Sequence, residues 1–114
     1  MNPGDLLAET PEPPYYAVIF TSLLTPDTAG YAEAAERMFE LVKTIPGYLG
    51  ADGARDGVGI TVSYFRDEPA IAEWRDHPEH AETRERGREQ WYEAYELRVA
   101  KVERAYGFRR STVD

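Results

Sequence analysis

The chain has 114 residues, 42% of them apolar and 30% charged, which fits one globular domain with its own core and excludes global disorder. Its 21 acidic residues outnumber 13 basic ones, and the net charge of −8 argues against nucleic acid as a partner. There is no cysteine, so disulfides, thiolate metal sites and a cysteine nucleophile are excluded. No apolar run approaches the ~20 residues of a membrane-spanning helix. The acidic start (Asp5, Glu9) is unlike a secretory signal, so no membrane association and a cytoplasmic location are expected.

Residues 1–14 carry prolines and acids without periodicity and read as a mobile or extended arm. The domain is expected over 15–108, followed by a tail over 109–114. In YYAVIFTSLL both alternating sets are apolar: Tyr16, Val18 and Phe20 on one side, Tyr15, Ala17 and Ile19 on the other. Such a strand needs cover on both faces. Thr25-Pro26-Asp27-Thr28 is turn chemistry and offers caps for a helix whose apolar face is Tyr31, Ala35, Met38, Val42 and Ile45. Pro46-Gly47 ends it. A strand over Tyr48–Ala54, a turn at Asp56-Gly57 and an antiparallel partner over Gly59–Phe65 follow. The glycines at 47, 50, 53, 57 and 59 read as turn punctuation.

Asp67-Glu68-Pro69 opens a helix over Glu68–Asp76. Pro78 then forces His77 out of helical geometry, and a second helical piece starts there. The last segment is two-valued. Trp91, Tyr95, Val99, Val102 and Tyr106 recur at helical spacing, whereas Tyr95, Leu97 and Val99 alternate as in a strand, which would need a bulge near Ala100-Lys101.

That order of elements, with ITVSYF, Glu73-Trp74, the HPEH run, and GREQWYEAY leading into RVAKVERAYGF, resembles the antibiotic-biosynthesis monooxygenase family over about Tyr15–Phe108. The resemblance implies an α+β, ferredoxin-like βαββαβ unit whose last element is a strand, here expected over Leu97–Tyr106. It also implies pairing of two sheets as a dimeric α/β barrel, which agrees with a first strand apolar on both faces. Haem-degrading relatives use an Asn late in the first strand, a Trp on the second helix and a His further along as iron ligand. Trp74 matches the tryptophan, Ser22 stands at the Asn place and approximately Arg84 at the His place. Haem is therefore disfavoured and no cofactor is expected. Quinone-forming relatives often carry Trp where this chain has Phe65.

His77 and His80 are the side chains that titrate near neutrality without perturbation. His80 falls in the first turn of its helical piece, where the helix dipole favours neutral imidazole, so it is the candidate general base, with Trp74 beside it as the second catalytic candidate. His77 is expected to close the preceding helix. Surface capping for the histidines and core filling for Trp74 are the ordinary uses of these residues. Ser22, Tyr64, Phe65, and one of Trp91 or Tyr95 are the expected lining of a substrate pocket. No metal-ligand spacing is present. The expected function is a cofactor-independent monooxygenase acting on an electron-rich, quinol- or anthrone-like aromatic as a homodimer. The alternatives are a non-catalytic dimer that binds a small aromatic molecule, and a haem-binding relative.

Overall fold

The structure, a computed structural model, describes residues 6–110. In chain order they form β1 (Tyr15–Leu24), α1 (Tyr31–Val42), β2 (Tyr48–Asp56), β3 (Val58–Phe65), α2 (Glu68–Asp76), α3 (Pro78–Arg86), a π-helical turn over Gly87–Trp91, and β4 (Tyr92–Val102). The strands make one antiparallel sheet in the order β2-β3-β1-β4, the α+β, ferredoxin-like arrangement expected from the sequence. No helix among the described residues is long and apolar enough to cross a membrane.

Register assigns the two sheet faces. Tyr16, Val18, Phe20 and Ser22 lie opposite Phe65, Ser63, Thr61 and Gly59 of β3, and opposite Lys101, Val99, Leu97 and Tyr95 of β4. This is the helix-covered face: Val18 and Phe65 pack with Val42 of α1 and with Ala70, Ile71 and Trp74 of α2. The outer face carries Ile19 and Leu23 with Val58, Ile60, Val62 and Tyr64. Residues of the N-terminal arm reach it. Ala8 N–H donates to Asp52 Oδ1 at 2.7 Å, and the Thr10 hydroxyl donates to Tyr15 Oη at 2.8 Å.

Several boundaries differ from expectation. None of Thr25, Asp27 or Thr28 caps α1 with its side chain. The N-cap is Gly30 at φ 82°, which a β-carbon would strain and which lies against Arg86 and Trp91. α1 stops at Val42, before Pro46, because the Thr44 and Ile45 amides tighten onto the Leu41 and Val42 carbonyls. β2 continues to Asp56, and Gly50, Gly53 and Gly59 are strand residues; Gly57, at φ 78°, makes the turn.

Asp67 opens α2 as expected, its Oδ1 accepting from Ala70 N–H at 2.9 Å. His77 does more than close α2. Its Nδ1 accepts from Glu79 N–H at 3.2 Å and caps α3.

The C-terminal segment is a strand, but it begins at Tyr92 and ends at Val102, and no bulge occurs at Ala100-Lys101. The register slips instead between Leu23 and Leu24, opposite Tyr92–Ala94. Helical propensity is satisfied up to Trp91. Beyond it the unpaired edge of β1 supplies a ladder from Leu24 to Tyr15, which outweighs local preference.

Candidate functional site

A slot of about 450 Å³ opens between α1 and the edge formed by β2 and β3. Its helix wall is Tyr31, Ala35 and Phe39, recurring every four residues down one face of α1. Its sheet floor is small: Ala51 and Gly53 of β2, Gly59 and Thr61 of β3, all on the helix-covered face. Aromatic wall against flat floor leaves room for a planar molecule.

Arg55 forms the polar end of the slot. Its Nη2 donates to Ser22 Oγ at 2.6 Å and its Nη1 to the Ser22 carbonyl at 3.2 Å, with Ser22 only 2% exposed. Its guanidinium carbon lies 6.0 Å from the Tyr31 ring centre. A β-carbon at residue 59 would collide with the guanidinium, so Gly59 is what lets Arg55 lie flat across the strand. Tyr92 stands edge-on to Tyr31 at 5.9 Å. Burial first, and then the Tyr31 hydroxyl, push the Tyr92 phenol far above its ordinary range, so it remains a neutral donor.

The expected site residues are scattered. Ser22 joins the slot through Arg55. His80 and Trp74 come together outside the slot: their rings stack at 3.9 Å and 11°, and neither lines it. His80 Nδ1 lies 2.8 Å from the Trp74 carbonyl, which fixes the neutral tautomer with the proton on Nδ1. Burial, assisted by Arg84 and His77, pulls the His80 pKa down to about 4, although the Trp74 carbonyl opposes this. Phe65 is core, 1% exposed beneath Tyr48 and α2.

Trp91 is equally buried; its Nε1–H donates to the Ala29 carbonyl at 2.9 Å and Arg86 lies over its ring at 4.7 Å. Tyr95 sits on β4 against Phe20 and Tyr92, with its hydroxyl accepting from Arg88. Tyr64 projects from the outer face, where it donates to Asp52 Oδ2 at 2.9 Å and burial pushes its pKa up to about 12.

Sequence reasoning passes over Arg55, Tyr31 and Phe39. The one signal for Arg55 was glycine at 53 and 59, inside strands rather than in a turn, where a side chain or ligand approaches the backbone closely. No imidazole lines the slot. At the place expected for an axial ligand, Arg84 donates Nη2 to the Arg75 carbonyl at 2.7 Å, and a guanidinium does not bind iron, so these residues do not fit haem. A second groove of about 260 Å³ lies between Glu12-Pro13 and residues 103–106.

The family model for antibiotic biosynthesis monooxygenase matches residues 14–86. The chain belongs to that family. It is 52% identical over 112 residues to the uncharacterized protein YqjZ of Bacillus subtilis (strain 168), covering 96% of this chain and 98% of that one. Among solved structures it resembles Rv0793 from Mycobacterium tuberculosis, with a TM-score of 0.70 at 20% identity over 81% of this chain and 99% of that one. It also resembles PA3566 from Pseudomonas aeruginosa, with a TM-score of 0.66 at 14% identity over 84% and 99% of the two chains. At such identities these structures speak to the fold: an antibiotic-biosynthesis-monooxygenase-type α+β domain with helices on one sheet face.

Proposed function

We propose that this member of the antibiotic biosynthesis monooxygenase family oxidises an electron-rich planar aromatic molecule with dioxygen in the slot beneath α1. The observation that carries the reading is the slot itself: Tyr31 and Phe39 on one wall, Ala51, Gly53 and Gly59 opposite, and one polar end. A tricyclic anthrone-like molecule fits the usual volume range of small-molecule sites. The chemistry asks little of the protein. The substrate's CH₂ loses a proton to solvent hydroxide, its carbanion adds dioxygen to give a peroxide anion, and that anion takes a proton back from water. The hydroperoxide then loses water to leave a carbonyl, so R₂CH₂ and O₂ become R₂CO and H₂O. The walls orient the ring and displace water from it, which strengthens the few polar contacts.

A second reading places the base at His80, and its neutral imidazole stacked on Trp74 favours it. The two readings separate by substitution. Oxygen uptake above autoxidation is expected with an anthrone or quinol probe. Ala35→Phe, which fills the slot from α1, is expected to lower it about tenfold or more, in proportion to lost binding. If His80→Ala abolishes uptake while Ala35→Phe leaves it intact, chemistry belongs to the His80–Trp74 pair. If probes bind saturably without oxygen consumption, the protein is a ligand carrier.

A further inference from the structure

Arg55 forms no ion pair among the described residues. The pairs that do form are Arg37–Glu79, Lys43–Glu40, Arg66–Asp67, Arg75–Asp76 and Arg88–Glu85. The one carboxylate in the slot's lining, Asp52, belongs to the outer sheet face, where Ala8 N–H and the Tyr64 hydroxyl occupy its oxygens. Arg55 instead meets the uncharged Ser22, which takes two of its five N–H donors. The other three have no partner among the described residues. Gly59 clears the strand beneath the guanidinium, and Ser22, buried, fixes its orientation. A guanidinium oriented by buried Ser22, half in solvent and with three donors open, at the end of an aromatic slot is a seat for an anionic oxygen.

We infer that Arg55, oriented by Ser22 and seated on Gly59, selects planar aromatic ligands bearing an ionised oxygen, such as a carboxylate, phenolate or enolate, over neutral ones of the same shape. The inference rests on the slot being the binding site. It adds which end of the ligand enters first and which charge it carries. A purely structural Arg55, tying β2 to β1 through Ser22, would leave ligand charge irrelevant.

The test uses two probes of one shape, anthraquinone-2-carboxylate and anthraquinone-2-carboxamide, titrated calorimetrically into the full chain. The carboxylate is expected to bind about tenfold tighter or more, the size of one charge-assisted hydrogen-bonded contact. Arg55→Gln is expected to erase that preference while the carboxamide still binds. Arg55→Lys keeps the charge without the fork and is expected to restore part of it. Gly59→Ala is expected to displace the guanidinium and weaken carboxylate binding selectively. Thermal melts of each variant separate lost selectivity from lost folding. Equal affinity of the two probes, or a preference that survives Arg55→Gln, overturns the anion seat and leaves the slot reading standing. Failure of both probes to bind overturns both.

Discussion

His80 is the third residue of α3, and the helix dipole there already disfavours imidazolium, but the larger cause of its neutrality is the stack on Trp74 and the burial that comes with it. An unfolded histidine takes its proton near pH 6.5, whereas folded His80 resists protonation until about pH 4. Protonation therefore favours the unfolded chain. The stabilising contribution is complete above pH 6.5 and is lost as pH falls from 6.5 toward 4. His80→Gln removes the group, so the wild type is expected to lose stability relative to this variant on acidification, read as urea midpoints at pH 7 and pH 4.5. A constant difference between the two refutes the burial of a neutral imidazole. The nearness of His80 to Trp74 was legible from the sequence, because only the helix break at Pro78 separates them; that the rings stack was not. Arg55 was not: between two acids and two glycines it reads as turn surface, and its bonds to Ser22 join positions 33 residues apart.

The helices of this chain are readable wherever the sequence supplies a local stop or start. Asp67 and Pro78 mark α2 and α3 because each acts on the backbone within four residues. The entry to α1 was not readable in the same way, since its cap is conformational: Gly30 turns left-handed and leaves room for Arg86 and Trp91. Those two residues come from the far side of the chain, which no local pattern announces. Gly30→Ala is expected to cost roughly 1–2 kcal/mol through the left-handed backbone alone, with further loss if the Arg86–Trp91 stack is displaced. Urea denaturation checks this, and unchanged stability would show that the cap tolerates a β-carbon. β4 is the opposite case. Its residues favour helix, and only pairing with β1 over ten positions makes it a strand. Local propensity could not decide it; the requirement for a fourth strand in the family's fold could.

At the scale of the whole molecule, the apolar character of β1 on both faces has only half its explanation within one chain. Helices cover Val18 on the inner face, and on the outer face Tyr15 and Ala17 are buried. Further along the outer face Leu23, Val58 and Ile60 remain 43–46% exposed, side by side across β1 and β3. A contiguous apolar patch of this kind on an acidic chain needs a partner. We predict that a second copy provides it, outer face to outer face, burying more than ~1,200 Å² in total, the size of a stable interface. Light scattering at micromolar concentration is then expected to give twice the chain mass, and Ile60→Asp to halve it with the circular dichroism spectrum unchanged. Leu97 and Val99 on β4 form a second exposed stripe, on the helix-covered face. If Leu97→Asp separates the copies and Ile60→Asp does not, pairing runs along β4 rather than across the sheet. A monomeric mass for the wild type sinks both arrangements, and the apolar outer face would then be cover for something other than this chain.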